Sequence, residues 1–162
     1  MNIGIDARFF GPKDKGIGRY TENLIKNLEK IDPSVGGNQY FIFLTRERKE
    51  DYQPANQNFK KILVRLPLTL FLKKYNLDLM HFTFYKVPIF YRKRFILTVH
   101  DLTWQRFPIF NPLKRLIYKI GFSSAIQRAE KIIAISEYVK KDILKTYRVN
   151  PDKIKVIYEG VS

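Results

Sequence analysis

The sequence opens with Asn2-Ile-Gly-Ile-Asp-Ala-Arg8 and continues, after a loop rich in glycine, proline and lysine, with Gly16-Ile-Gly-Arg-Tyr20. Ile3 and Ile5 predict a short first strand that ends at Asp6, and the glycines predict the entry to a helix. Glycine at a helix N-terminus lets backbone N–H groups approach an anion, and the helix adds partial positive charge there. This order is typical of the first unit of a Rossmann-like α/β domain. A plain flexible turn is the alternative interpretation of the glycines.

Hydrophobic runs along the rest of the chain predict further strands that alternate with helices. The strands are predicted at residues 40–44, 59–66, 78–82, 95–99, 131–135 and 154–158. The helices are predicted at residues 17–31, 68–75, 112–129 and 137–147. Asn111 before Pro112, and Ser136 before Glu137, are favourable helix starts. This alternation predicts an α/β fold with a Rossmann-like parallel sheet of about seven strands and helices on both faces.

Apolar periodicity predicts which face of each helix is buried. In the first helix the apolar stripe is Ile17, Tyr20, Leu24, Leu28 and Ile31. In the helix that starts at Pro112 it is Leu113, Leu116, Ile117, Ile120, Ala125 and Ala129. In the last helix it is Val139, Ile143 and Tyr147. Because each stripe follows the helical period, we expect it to pack on the core.

Composition excludes several classes of protein and site. The chain is 45% hydrophobic, which supports a packed core and argues against disorder. It has no cysteine, which excludes disulfides and thiolate chemistry and fits a reducing cytoplasm. Two histidines without cysteine give no recognisable metal-ligand spacing, so we expect no metal. The start of the chain does not resemble a signal peptide, and no apolar run approaches the roughly 18–20 residues of a spanning helix.

The formal net charge of +15 is concentrated in one part of the chain. Residues 59–128 hold 14 Lys and Arg and two acids, a net charge of +12. Basic and aromatic residues interleave there, which suits an anionic membrane surface. Single-stranded nucleic acid is a less favoured partner, because nothing resembles a known nucleic-acid module. Aromatic core residues with solvated basic flanks are the third interpretation. The candidate anion-facing residues are Lys86, Arg92, Lys93, Arg94, Lys114, Arg115 and Lys119.

Ligands of parallel α/β sheets bind at the carboxyl ends of the strands. His100 follows the predicted fifth strand there and is the best catalytic candidate, because imidazole exchanges protons near neutral pH. A structural histidine bonded to loop backbone is the alternative. Further candidates for an acceptor site or cleft are Asp6, Arg8, Phe84, Asp101 and Ser136. For Asp6, stabilisation of its loop is a second interpretation. His81 lies inside a predicted strand, where we expect a satisfied core histidine.

Five short motifs in this order resemble family 4 (group 1) glycosyltransferases. They are Ile3–Arg8 with Gly16–Tyr20, Val99–Leu102 with Phe107-Pro108, Ala134–Glu137, Lys153–Ile157 and Glu159–Val161. The resemblance spans essentially the whole chain and implies one half of a GT-B fold, in which two Rossmann-like domains face each other across a cleft. It implies that residues 1–158 form the acceptor-side N-terminal domain and that 159–162 begin the interdomain linker. The C-terminal donor domain would then lie outside these 162 residues.

The resemblance also implies a retaining transfer of sugar from a nucleotide-sugar to a lipid-linked or glycan acceptor, usually without metal. His100 would contact the sugar or the forming bond, while Gly16, Ile17, Gly18 and Arg19 would face the donor diphosphate and sugar. We expect the chain to be inactive alone, to work with a donor domain that a separate gene can encode, and to be cytoplasmic, peripheral on the inner face of the cell membrane. The alternative is a non-catalytic basic module that docks on anionic membrane, a polyanion or a separately encoded donor domain.

Overall fold

The computed structural model describes residues 1–31, 37–65, 67–106 and 111–160, so Phe107, Pro108 and Val161 of the sequence motifs lie outside it. Leu66 at the end of the third predicted strand and Ser162 of the predicted linker also lie outside the described residues. The strands are β1 (Asn2–Asp6), β2 (Gln39–Leu44), β3 (Phe59–Leu63), β4 (Leu79–Phe82), β5 (Phe95–Val99), β6 (Lys131–Ala134) and β7 (Ile154–Val156). Within the described part of the chain they form one seven-stranded parallel sheet in the order β3-β2-β1-β4-β5-β6-β7. The predicted α/β fold with a parallel sheet is confirmed.

Helices connect these strands. They are α1 (Lys15–Ile31), α2 (Leu68–Lys73), α3 (Thr103–Arg106), α4 (Pro112–Arg128) and α5 (Glu137–Thr146). Asn111 Oδ1 accepts a hydrogen bond from the backbone N–H of Lys114 at 2.8 Å, and Ser136 Oγ accepts one from Val139 at 3.2 Å. The two predicted helix caps are therefore confirmed. Across the residues that the structure describes, no helix is long and apolar enough to cross a membrane.

The sheet buries side chains on both faces, because successive strand residues point in opposite directions. Phe43 of β2 belongs to a cluster that also contains residues of α2, α4 and α5. Its neighbour Ile42 belongs to a second cluster with Ile25 of α1. Helices on both faces, as predicted, thus cover two separate parts of the core.

The buried face of α1 differs from the predicted one. Its buried residues are Gly18, Thr21 and Ile25, whereas the predicted stripe is half-buried and ends at Ile31, which is 76% exposed. Thr21 can be buried because its hydroxyl lies 3.1 Å from the hydroxyl of Thr83. Apolar periodicity does not detect a contact face that is made by a glycine and a threonine.

For the first half of α4, the predicted buried face is wrong. Four side chains expected in the core are more than half exposed, namely Leu113, Leu116, Ile117 and Ile120. The buried residues of the helix are Phe122, Ala125 and Ile126, and Ala129 is buried just after its end. The helix is apolar on two sides, and the periodicity does not say which side meets the sheet.

Candidate active site

The strand order reverses between β1 and β4, which are neighbours at the centre of the sheet. A parallel sheet opens a ligand-binding crevice at such a switch point, on the side of the carboxyl ends. A small cavity of about 30 Å³ lies at this edge, lined by Ile17, Phe84, Tyr85, Thr98, Val99, His100 and Asp101. It has room for water and not for a sugar ring, so a larger ligand would lie over its mouth.

The imidazole of His100 is held at this edge by two hydrogen-bond acceptors. Its Nε2 lies 2.9 Å from the carbonyl oxygen of Thr83, and its Nδ1 lies 3.0 Å from Oε1 of Glu159. Contacts at both ring nitrogens fix the orientation of the imidazole. The ring of Tyr20 meets that of His100 edge-on, with centroids 4.9 Å apart. These contacts orient the His100 side chain, and 12% of its surface stays accessible to a ligand.

Behind this imidazole, buried hydroxyl and imidazole side chains form hydrogen bonds between α1 and the strands β1, β4 and β5. The Tyr20 hydroxyl lies 3.0 Å from Thr98 Oγ1, which lies 2.8 Å from His81 Nε2. The Thr83 hydroxyl donates to the carbonyl oxygen of Asp6 at 2.6 Å. Burial lowers the pKa of His81 to about 4, so its imidazole is neutral at pH 7. His81 is thus the satisfied core histidine that the sequence predicts.

Asp6 and Arg8 form an ion pair at the end of β1. Nε and Nη2 of Arg8 each donate to a different carboxylate oxygen of Asp6 at 2.8 Å, and Nη2 also donates to the carbonyl oxygen of Lys86 at 3.0 Å. The side chain of Asp6 is 2% exposed, so its charge depends on this bidentate partner. The pair accounts for the loop-stabilising interpretation of Asp6, while contact of either residue with a ligand stays a prediction.

A larger pocket opens beside this ion pair. It has a volume of about 590 Å³ and is lined by Arg8, Phe9, Asp14, Thr45, Arg46, Glu47, Arg48, Val64 and Lys86. Arg48 is paired with Asp14 through two hydrogen bonds of 2.6 and 2.8 Å. Arg46 and Lys86 are exposed at the same pocket, where cations outnumber acids. The pocket, defined here as the cationic pocket, suits an anionic group.

The four residues predicted to face a donor all lie at the start of α1, which begins two residues earlier than predicted. Gly16 and Arg19 line a groove of about 660 Å³ between α1 and the segment after β7, and Ile17 lines the small cavity. Gly18 is buried, and a Cβ there would lie 2.1 Å from the carbonyl oxygen of Gly11. This close approach explains the glycine at 18, and a contact with diphosphate stays a prediction.

The other cleft candidates have structural partners. Asp101 Oδ1 accepts a hydrogen bond from the backbone N–H of Thr103 at 2.8 Å, at the start of α3. Phe84 is 7% exposed and packs with its ring centroid 4.6 Å from that of Phe9. Ser136 caps α5, so a role of these three residues toward a ligand stays a prediction. Among the described residues, no group of three or more His, Asp or Glu side chains is placed to hold a metal ion.

The seven predicted anion-facing residues differ in their surroundings. Arg94 makes two hydrogen bonds of 2.7 Å to the carboxylate of Glu130, which offsets its charge. Arg115 is half-buried and donates to the carbonyl oxygen of Gln105. Arg94 is also exposed, and so are the other five, namely Lys86, Arg92, Lys93, Lys114 and Lys119.

A known family has the same sequence pattern along nearly all of this chain. The family model described as Glycosyltransferase Family 4 matches residues 15–162. The chain belongs to glycosyltransferase family 4. Among curated proteins it is similar to the O-antigen chain mannosyltransferase RfbU of Salmonella typhimurium (strain LT2), with 28% identity over 100 residues. That match covers 60% of this chain and 27% of the relative, so the family 4 chain spans well under two thirds of the relative's length.

The partners that position His100 in this family 4 chain are hard to find from sequence. Glu159 is visible there only as part of a motif, 59 residues away from His100. It reaches the imidazole because the segment after β7 stays beside β6, where the N–H of Ile157 donates to the carbonyl of Ala134 at 3.0 Å, and then approaches the residue that follows β5. Thr83 carries a clearer signal by its position, since the residue directly after a buried parallel strand lies at the ligand edge and offers its backbone carbonyl there.

Proposed function

We propose that this chain is the acceptor-side domain of a retaining glycosyltransferase, which moves a sugar from a nucleoside diphosphate sugar to a lipid-linked or glycan acceptor. The observation that supports this most is the placement of His100 at the carboxyl edge of the sheet, one strand from the switch point, with both ring nitrogens held. Groups that are oriented before the reaction need no reorganisation in the transition state, and they usually make the largest contribution to catalysis. In the proposed complex an oxygen of the donor replaces Glu159 at Nδ1, because Glu159 is the more exposed partner at 39%.

The cationic pocket is the proposed site of the acceptor's anionic group. Arg46 and Lys86 are exposed there, while Arg8 and Arg48 are held by carboxylates and shape the wall. Phosphate is bound well by guanidinium and ammonium groups that converge on one concave surface. A lipid-linked acceptor that carries phosphate or diphosphate supplies this group, and it would hold the sugar-accepting hydroxyl beside His100.

The donor nucleotide is proposed to bind mainly to a second domain, either in the same polypeptide or encoded separately. Gly16 and Arg19 would then approach the diphosphate from the opposite side of the cleft, and no metal would be required. Because most donor contacts would come from that second domain, residues 1–162 alone should show no sugar transfer. The proposed location is cytoplasmic, at the inner face of the cell membrane, where a lipid-linked acceptor is presented.

Replacement of His100 by alanine tests this function. In the chain assembled with its donor domain, His100→Ala should lower turnover by about 100-fold or more, as expected for the loss of a polar transition-state contact. Leu70→Ala, at a 58% exposed position on α2, is a surface control away from the carboxyl edge and should keep full activity. Turnover by His100→Ala equal to that of the control, at equal thermal stability, would reduce His100 to a structural residue.

Two outcomes, one for residues 1–162 and one for the assembled protein, separate transfer from simple binding. Sugar transfer by the 162-residue chain with any nucleotide-sugar would contradict the two-domain proposal. An assembled protein that binds anionic partners but transfers no sugar would favour the non-catalytic binding module.

A further inference from the structure

Helix α4 presents apolar side chains on two opposite sides. Successive residues of an α-helix are rotated by about 100° around its axis. Phe122, Ala125 and Ile126 therefore lie on one side, where they are buried against the sheet. The other side of the first two turns carries Leu113, Leu116, Ile117 and Ile120, which are 69, 53, 56 and 57% exposed. Four neighbouring aliphatic side chains on one exposed helix face form a contiguous patch, which a monomer in water normally avoids.

The loop before β5 extends this patch. Ile89 and Phe90 at its tip are 44% and 73% exposed. The side chain of Ile89 lies 4.0 Å from the position that a Cβ would occupy at Gly121 of α4. Arg128 fixes the loop against the same helix through hydrogen bonds to the carbonyl oxygens of Pro88 and Tyr91. The six side chains Ile89, Phe90, Leu113, Leu116, Ile117 and Ile120 are called the apolar ridge below.

Basic side chains flank the apolar ridge. Residues 79–129 contain nine Lys and Arg and one acid, Asp101. On α4, Lys114 and Lys119 lie on opposite flanks of the exposed apolar side and are both exposed. Arg92 and Lys93 follow the loop tip directly and are exposed as well. An apolar strip between rows of cations complements a bilayer interface, where acyl chains lie below anionic head groups.

We propose that the apolar ridge inserts into the interface of an anionic membrane, with Lys114, Lys119, Arg92 and Lys93 on the lipid head groups. Insertion is a different mode of binding from attraction by basic residues alone, because it removes apolar side chains from water. A second copy of the chain fits this surface less well. Pairing two such faces would bring together two basic regions with a net charge of +12 each over residues 59–128.

The same helix connects the membrane to the cationic pocket. The ring of Tyr118 on α4 lies 5.4 Å from Nζ of Lys86, which lines that pocket. A bilayer that touches the first turns of α4 is therefore next to the proposed acceptor site. Membrane insertion is separate from sugar transfer. Vesicle binding is measured without any donor, so it can succeed or fail whether or not the protein transfers sugar.

Vesicle flotation tests the proposal on the full 162-residue chain. The probes are phosphatidylcholine vesicles with and without about 30% phosphatidylglycerol. The wild type should bind the anionic vesicles, and the combined variant Leu113→Gln, Leu116→Gln, Ile117→Gln should bind them at least about tenfold more weakly. The matched control is Ile31→Gln with Leu70→Gln, two positions that are 76% and 58% exposed on other helices. All five substituted leucine and isoleucine side chains are exposed in the fold, and thermal melting verifies that each variant is folded.

Salt and fluorescence separate insertion from surface attraction. At about 1 M NaCl the screening length falls to about 3 Å, so charge attraction is lost while ridge insertion leaves measurable residual binding by the wild type. A tryptophan placed by Ile117→Trp should shift to shorter wavelength with anionic vesicles and be quenched by brominated lipid, whereas buried Trp104 should not respond. The proposal is overturned by equal binding of the ridge variant and the control, or by an Ile117→Trp signal that vesicles do not change. It is equally overturned if the wild type ignores vesicles but dimerises through the ridge in analytical ultracentrifugation.

Discussion

His81 shows how one buried side chain links protonation to folding. Its side chain is 5% exposed, and its Nε2 lies 2.8 Å from Thr98 Oγ1. Burial lowers its pKa from 6.5 to about 4, so the unfolded chain takes up a proton there at higher pH than the folded chain does. The stability that neutral His81 contributes is therefore complete above about pH 6.5, and it is lost as the pH falls toward about 4.

The pH dependence of unfolding tests this linkage. Between about pH 7 and pH 4 the free energy of unfolding of the wild type should fall, and His81→Gln should remove roughly 3 kcal/mol of that fall. Glutamine retains a donor and an acceptor for Thr98. Urea unfolding at several pH values measures the difference. Parallel pH profiles for the wild type and His81→Gln would show that His81 does not contribute.

Single residues were predictable where they follow strands. Asp6 ends one buried parallel strand and His100 directly follows another, and the carboxyl-edge rule places both at the ligand-binding edge of the sheet. Their partners were not predictable, because Glu159 reaches His100 through the path of the chain after β7 and not through local sequence. From sequence alone, Arg94 counts as a cation that faces an anionic partner. Its ion pair with Glu130 was not predictable either, because Glu130 lies 36 residues away in the chain.

Helix α1 contains two glycines in opposite environments. A Cβ at Gly18 would lie 2.1 Å from the carbonyl oxygen of Gly11 and 2.6 Å from Cβ of Asp14, so Gly18→Ala forces backbone apart and should cost about 1–3 kcal/mol or more. Gly16 has nothing within 4 Å of its added Cβ, so Gly16→Ala should stabilise the helix by about 0.5–1 kcal/mol. Thermal and urea unfolding of both variants give the comparison. A stability loss in Gly16→Ala, or none in Gly18→Ala, would contradict this packing.

At the scale of elements, the spacing of apolar residues predicted that a helix exists better than it predicted which face of the helix is buried. The caps at Asn111 and Ser136 and the buried stripe of α5 follow directly from residue type and spacing. In α4 the apolar residues occupy both sides of the helix, so spacing alone assigned Leu113 and Leu116 to the core. In the structure Phe122 and Ala125 instead share a buried cluster with aromatic side chains of the sheet such as Phe82 and Phe95.

For the whole molecule, the alternation of strands and helices was enough to predict a parallel α/β sheet. It does not give the order of the strands, because β1 pairs with both β2 and β4, and β4 follows β1 only after two other strands. That order places the crevice between β1 and β4 and thereby brings Asp6, Thr83 and His100 to one edge. The cationic pocket also depends on it, since its residues come from the ends of β1 to β4.

The net charge of the whole molecule should make its stability rise with salt. At +15 the basic residues repel one another in the compact state, while exposed pairs such as Arg94 with Glu130 add little. Raising NaCl from about 0.05 to 0.5 M shortens the screening length, and the melting temperature should increase by about 2–5 °C.

The combined variant Lys74→Gln, Arg92→Gln, Lys119→Gln removes three exposed cations and should show a smaller increase. The matched control removes the ion pair of Lys26 with Glu22 by glutamine at both positions, which leaves the net charge unchanged and should keep the full salt response. A melting temperature that falls with salt, or an equal rise in the three-cation variant and the control, would mean that local ion pairs outweigh the overall repulsion.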